Sequence, residues 1–89
     1  MKFRRFGTYL RKARKKKNLT QWDVAQRLNY TTAQFVSNFE RGISQPPVSI
    51  LKTLVKIYEL DPSQVVELIE FDQQRIMKDE LSRLKKELR

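Results

Sequence analysis

The feature that most constrains this chain is the stretch of residues 20–42, TQWDVAQRLNYTTAQFVSNFERG, which holds two short amphipathic patterns separated by one polar break. Each pattern is too short to form a stable helix alone, so packing within a larger helical domain must hold both of them. In the second pattern Val36 and Phe39 share a face with Phe35, and Thr32 begins that face. The stretch therefore predicts two short helices joined by a tight turn.

A row of polar side chains lies on the opposite face of the second pattern. Its members, spaced at i, i+3, i+4 and i+7, are Gln34, Ser37, Asn38 and Arg41. Such side chains offer directional hydrogen bonds to base edges and phosphates. We expect the first three to contact DNA bases and Arg41, near the helix end, to contact a phosphate. The same row would also suit a solvated helix face, and the spacing alone leaves both interpretations open.

The charge of the chain is distributed unevenly. Residues 1–58 carry thirteen basic and two acidic side chains, whereas residues 59–89 carry six basic and eight acidic ones. The basic field therefore indicates an acidic partner for the N-terminal two-thirds. Its densest run, residues 11–17, could contact phosphates, solubilise the surface or lie on an acidic membrane. We disfavour the membrane because the apolar residues of this segment are needed for the core: Phe3, Phe6, Leu10 and Ala13.

Composition excludes several kinds of site. The chain has no cysteine and no histidine, which rules out disulfides, thiolate nucleophiles, Cys/His zinc sites and histidine general bases. No phosphate-binding loop or cluster of carboxylates is visible, so we expect no enzyme, no metal and no cofactor. The basic start lacks a long apolar core, and no apolar run approaches membrane-spanning length. We expect a cytoplasmic protein without a membrane partner.

Hydrophobic periodicity predicts helices almost throughout and no strand, that is, an all-α fold of five helices. The first covers roughly residues 3–17. Thr20 is the expected N-cap of the second, with Asp23 completing a capping box, and Thr31 or Thr32 caps the third. Gly42 ends the third helix, and residues 48–58 form the fourth.

The fifth helix begins with Asp61 as N-cap and Pro62 at the first position, and no breaker interrupts it before Arg89. Its first part, with Val65, Val66, Leu68 and Ile69, is expected to pack on the core. Its last part spaces apolar residues 4, 3 and 4 apart, as in a coiled-coil seam: Met77, Leu81, Leu84 and Leu88. We therefore divide the chain into a DNA-binding domain, residues 1–70, and a helical extension, residues 71–89. The seam predicts a homodimer; a different protein partner and a frayed solvent helix are the alternatives.

Several motifs in the right order resemble the phage repressor/Cro family, also called the XRE-like family. They are FGTYLRKAR, LTQWDVAQRL, FVSNFERG and the segment PxxxILKTLVKIYELDPSQVVEL, and the resemblance covers about residues 6–69. The resemblance implies a five-helix domain that binds double-stranded DNA through a helix-turn-helix and regulates transcription. In one departure, Ala33 stands where several relatives carry a polar, base-reading side chain.

The resemblance also implies roles for individual residues. Gln21 corresponds to the glutamine that typically grips the DNA backbone from the start of the second helix. Arg14 and Glu40 correspond to a pair that commonly forms a buried salt bridge. The residues agree, because Arg14 should point partly inward and Glu40 is one of only two acidic residues among the first 58. The full set of expected phosphate contacts is Gln21, Thr31, Thr32, Arg41 and Lys17.

Two hypotheses for the function follow. The first is a sequence-specific regulator of transcription that acts by occlusion or recruitment at an operator and reads the major groove with the helix of residues 32–41. The second is an antitoxin-like or phage-encoded adaptor whose C-terminal helix binds a different protein. The long amphipathic tail suits both.

Overall fold

The computed structural model describes all residues from 1 to 89 and contains five helices and no strand. The helices are α1 (Arg4–Lys16), α2 (Gln21–Arg27), α3 (Gln34–Glu40), α4 (Val48–Tyr58) and α5 (Pro62–Glu87). The all-α fold of five helices that the sequence predicts is confirmed. None of the helices combines the length and the apolar character that crossing a membrane requires.

The first four helices end in the same way, each with one residue in the left-handed conformation that closes the last turn. These residues and their φ angles are Asn18 (57°), Asn29 (63°), Gly42 (74°) and Glu59 (54°). The N–H group of the next residue then returns to a carbonyl five positions earlier, as from Tyr30 to Ala25 at 2.9 Å. Glycine and asparagine tolerate this conformation, whereas Glu59 adopts it under strain.

Two helices begin at the residues that the sequence indicates. At α2 the Asp23 N–H donates to the Thr20 hydroxyl at 3.0 Å, and the Thr20 N–H donates to the Asp23 carboxylate at 2.9 Å. This reciprocal pair is the expected capping box, and its hydrogen bonds lower the pKa of the Asp23 carboxyl. At α5 the Asp61 carboxylate accepts from the Ser63 N–H at 3.1 Å, with Pro62 at the first helical position.

All five helices contribute to one apolar core. Its buried members are Phe6, Leu10, Val24, Ala25, Leu28, Val36, Phe39, Leu54, Tyr58 and Val65. Two expectations were wrong. Val66 is 54% exposed, because it lies about 100° around α5 from the buried Val65. Phe35 is 52% exposed and, with the exposed Thr32, lies off the buried face of α3.

The backbones of α1 and α3 approach each other closely at Gly7. A Cβ atom at this position would lie 2.6 Å from the carbonyl oxygens of both Phe39 and Glu40. The preceding turn is attached to the end of α3 as well, because the Phe3 N–H donates to the Gly42 carbonyl at 3.0 Å. Helix α1 therefore holds the whole C-terminal end of α3 in place.

A carboxylate from α5 caps the start of α1. Asp72 is 0% exposed and accepts hydrogen bonds from the N–H groups of Phe6 at 3.0 Å and Arg5 at 3.4 Å. Helix α1 has no acidic residue in its own first turn and no capping side chain of its own. Asp72 takes over both functions: its carboxylate accepts hydrogen bonds from free N–H groups at the helix N-terminus, and its negative charge interacts favourably with the helix dipole.

The C-terminal half of α5 extends beyond the domain. At 26 residues the helix is about 39 Å long, and the whole molecule measures 50 × 27 × 20 Å. From Met77 onward every side chain is exposed. The apolar residues of this segment therefore have no partner within the chain.

Candidate nucleic-acid interface

The segment joining α2 to α3 places the short third helix across the domain surface. The N-cap residue of α3 is Ala33 rather than the expected Thr31 or Thr32, and its side chain makes no capping bond. The Thr32 hydroxyl nevertheless accepts a hydrogen bond from the Gln34 N–H at 3.2 Å at the start of the helix. Regular helix covers Gln34–Glu40, which is shorter than the expected range of residues 32–41. Ala33 and Arg41, on either side, still have helical backbone angles, so the polar row keeps helical spacing throughout.

The polar row is itself linked by hydrogen bonds. The Asn38 side-chain carbonyl accepts from the Gln34 amide at 2.9 Å and from the Arg41 guanidinium at 3.0 Å. Gln34 and Arg41 are exposed, whereas Ser37 and Asn38 are partly buried. Within the chain, no hydrogen bond engages the Asn38 NH₂ group or the Gln34 amide oxygen. The row therefore presents donors and an acceptor to solvent in an ordered arrangement.

The opposite side of α3 is anchored in the core. Val36 and Phe39 are buried and fix the rotation of the helix about its axis. Phe35 lies at the edge between the two faces, where its ring stacks on Tyr30 with the ring centroids 4.7 Å apart. The Phe35 ring nevertheless remains half-exposed. Because the rotation of α3 is fixed, the polar row points outward from the domain in a single, defined direction.

An ion pair joins α1 to the last residue of α3. Arg14 Nε donates to Glu40 Oε2 at 2.6 Å, and the second guanidinium arm donates to Oε1 at 3.0 Å. The remaining arm donates to the Leu19 carbonyl at 2.8 Å. The side chains of Arg14 and Glu40 are 11% and 3% exposed. Such a two-point, buried contact fixes the orientation of both groups.

The same carboxylate also holds Gln21. Its side-chain amide donates to Glu40 Oε1 at 3.1 Å from the first position of α2. The hydrogen bond to Glu40 raises the pKa of Arg14. Burial, and then the Glu40 charge, raise the pKa of Tyr58, which lies beside the pair. One carboxylate thus connects α1, α2 and α3, a role for Gln21 that the sequence does not indicate.

The remaining candidates for phosphate contacts occupy different surroundings. Thr31 and Arg41 are exposed beside α3, and Thr32 is exposed while its hydroxyl accepts from the Gln34 N–H. Lys17 instead forms an exposed ion pair with Glu59, and this contact lowers the pKa of the Glu59 carboxyl. No hydrogen bond or ion pair connects Lys17 to the α3 row.

The predicted dimer seam lies outside the domain core. Its four residues, all exposed along the free half of α5, are Met77, Leu81, Leu84 and Leu88. None of them belongs to the core or packs against it. The seam and the α3 row are therefore separate surfaces of the chain.

Comparison with known proteins assigns the family. A family model described as helix-turn-helix matches residues 10–65, which include α2, the turn, α3 and both members of the Arg14–Glu40 pair. No curated protein and no solved structure matches the chain significantly. The matched segment covers well over half of the sequence and the helices that position the polar row. The chain therefore belongs to the helix-turn-helix family of the phage repressor/Cro type, a family of DNA-binding regulators also called XRE-like.

Proposed function

We propose that this protein is a sequence-specific regulator of transcription that reads the major groove of double-stranded DNA with α3. The observation that carries the proposal is the ordered row Gln34–Asn38–Arg41 on a short helix of a helix-turn-helix domain. The buried Val36 and Phe39 behind it leave only this row and its immediate neighbours to face a partner.

Base contacts are assigned to Gln34, Ser37 and Asn38. A side-chain amide can donate and accept at once, which matches the N6 and N7 edge of adenine in the major groove. The hydrogen bonds that Asn38 makes within the row are exposed, so exchanging them for base contacts costs little, since such bonds contribute about 0.5–1.5 kcal/mol net. The row is therefore ordered in the absence of DNA, and its side chains can still exchange their internal hydrogen bonds for contacts with bases.

Phosphate contacts are assigned to Gln21, Thr31, Thr32, Arg41 and Lys17. The Glu40 carboxylate that binds Arg14 also holds Gln21, so this backbone contact keeps a fixed distance from α3. Lys17 would have to exchange Glu59 for a phosphate, and exposed ion pairs contribute at most about 1 kcal/mol. Phosphate contacts would fix the register while the α3 row reads the bases.

Selection of bound duplexes from a random DNA library tests this proposal. We expect one enriched motif, with a log–log slope of affinity against salt near −4 to −5 for about five phosphate contacts per subunit. Recovery of unenriched sequences, or binding that salt does not weaken, would argue against a regulator of this kind.

Homodimerisation through the seam on α5 is the second part of the proposal. A dimer would bury these four apolar side chains in each copy, eight in all. Complete burial contributes on the order of 12–24 kcal/mol, and about half of that here because most of the side chains are only about half-exposed in the free chain. The gain is comparable with the cost of association, about 4–15 kcal/mol. The charged residues that flank the seam have both signs and so suit a second copy: Asp79, Glu80, Arg83 and Lys85. Because the free energy gained by burial is close to the cost of association, we expect a weak dimer, which binding to a two-part operator would stabilise.

Analytical ultracentrifugation separates the dimer from its alternatives. The full chain is expected to dimerise at roughly tens of micromolar, whereas a chain ending at Asp72 and a Leu81→Ser, Leu84→Ser variant should remain monomeric. A full chain that stays monomeric contradicts the proposal. Dimers that survive both changes place the interface elsewhere, and a stoichiometric complex with a different protein would favour the adaptor hypothesis.

A further inference from the structure

A groove between α1 and α5 forms a second basic surface. It has a volume of about 650 Å³, and its basic side chains are Arg4, Arg5, Lys12 and Arg75. Its apolar lining comes from Tyr9, Leu68 and Phe71. A cavity of this size accommodates a few side chains of a ligand. The groove therefore combines concentrated positive charge with an apolar floor.

The positive charge of the groove is not neutralised within the chain. The two ion pairs of the structure, Arg14–Glu40 and Lys17–Glu59, involve none of the groove residues. The nearby Asp72 is fully buried and accepts only from backbone N–H groups. No carboxylate lines the groove itself, and the exposed carboxylates nearest to it, Asp61 beside Tyr9 and Asp79 near Arg75, lie outside it.

Two of its arginines are held in fixed positions. The guanidinium carbon of Arg5 lies 4.4 Å from the centroid of the Phe71 ring, so the ring covers its face and leaves the N–H edge open. One nitrogen of Arg75 donates to the carbonyls of the first two residues at 3.2 Å, and the others make no hydrogen bond within the chain. Arginines held in this way lose little entropy when they bind a carboxylate.

Most of the groove faces away from α3. Gly7 and Arg14 both contact α3 and lie within about 20° of each other on the α1 helical wheel. Arg5 and Lys12 lie about 160° and 140° from Gly7 on that wheel. Arg4 lies only about 60° from Gly7, and its backbone adjoins Gly42 at the end of α3. A duplex bound along α3 therefore does not reach Arg5 or Lys12, an inference that rests on the proposed function.

The residue types favour a protein partner over a second polyanion. Three of the four cations are arginines, and one of them, Arg5, lies over the Phe71 ring. Arginine and aromatic residues are enriched in protein interfaces, whereas lysine is depleted. The other basic end of α1, residues 15–17, consists of lysines only. The apolar lining of the groove makes no favourable contact with a chain of phosphates, whereas a leucine or phenylalanine side chain of a protein partner could pack against it.

We propose that the groove binds an acidic peptide segment of another protein. Carboxylates of the segment contact Arg4, Arg5, Lys12 and Arg75, and an apolar side chain packs on Phe71 and Leu68. Such a site would let the protein contact a partner while α3 remains on DNA.

Fluorescence anisotropy with a labelled peptide of repeated Glu-Glu-Leu-Phe units tests the groove. An Arg5→Ala, Lys12→Ala variant removes the two groove cations that lie on the side of α1 away from α3 and whose side chains make no hydrogen bond or ion pair within the chain. Its matched control, Arg27→Ala with Lys56→Ala, removes the same charge from exposed positions on α2 and α4. We expect about tenfold weaker peptide binding for the groove variant and less than about twofold for the control.

Further measurements distinguish a protein partner from DNA and from an anionic membrane. An all-glutamate peptide of equal length should bind more weakly than the mixed peptide, and Phe71→Ala should remove that difference. The groove variant should retain the affinity of the full chain for DNA and for anionic vesicles. Equal losses in the two charge variants, equal binding of the two peptides, or a tenfold loss of DNA or vesicle binding in the groove variant would overturn the proposal.

Discussion

Replacing Glu40 with glutamine removes one charge from the centre of the domain while keeping the shape of the side chain. Glu40 accepts three hydrogen bonds, two from Arg14 and one from Gln21, and its side chain is 3% exposed. In the Glu40→Gln variant one carboxylate oxygen becomes an NH₂ group that faces a donor. The Arg14 guanidinium then remains charged and buried without an anion.

Removing one member of a buried ion pair costs roughly 3–5 kcal/mol. An 89-residue domain has a free energy of unfolding of about 4–13 kcal/mol, so the loss is a large part of the total. With about 4–8 °C per kcal/mol for a domain of this size, Tm should fall by at least about 12 °C. The chain offers a matched control in Glu59→Gln, which breaks an exposed ion pair. That variant should melt within about 2 °C of the parent.

Thermal and urea unfolding followed by circular dichroism measure both variants. A double variant, Arg14→Met with Glu40→Met, should recover part of the loss, because no charge is left unpaired. A Glu40→Gln protein that melts as the control does would refute the reasoning. Such a result would mean that water solvates the Arg14 charge in the variant and that the ion pair does not hold α1 against α3.

Three further outcomes are expected. Gly7→Ala should lower the free energy of unfolding by about 1–3 kcal/mol in urea titrations, because its Cβ would lie 2.6 Å from two carbonyl oxygens of α3; an unchanged midpoint contradicts this packing. Glu59→Gly should raise Tm by about 2–5 °C, because glycine relieves the left-handed φ of 54°; a lower Tm would assign more weight to the Lys17 contact. Since burial raises the pKa of Tyr58 above its ordinary value of 10.0, its contribution is complete below pH 10 and is lost as pH rises further. Stability should therefore fall less steeply between pH 9 and pH 11 in Tyr58→Phe than in the parent, as measured by urea unfolding.

Local signals account for the parts of the fold that the sequence predicts. Thr20 and Asp61 mark helix starts within three residues of the groups that they cap. The pairing of Arg14 with Glu40 could be predicted because only one other acidic residue occurs in the first 58 positions. The bond between Gln34 and Asn38 has i, i+4 spacing, so helical geometry alone could have indicated it.

The parts that escaped prediction depend on distant packing. Asp72 caps α1 from 66 residues away, and nothing distinguishes it in sequence from the seven other acidic residues of the C-terminal third. Gly7 lies inside a helix, where its close approach to α3 cannot be recognised without the partner backbone. Val66 and Phe35 were misplaced because a helical wheel does not tell where the core ends. Glu59 adopts a conformation that its residue type disfavours.

The most direct test of base reading by α3 compares affinities for the selected duplex and for random DNA in single alanine variants. Asn38→Ala and Gln34→Ala should each lose about 1–3 kcal/mol on the selected duplex and little on random DNA, so the ratio of the two affinities falls. Arg41→Ala, the control from the same row, should weaken both duplexes alike and keep the ratio unchanged. If all three variants lose equal affinity on both duplexes, α3 contributes only charge, and its assignment as the reading helix is wrong.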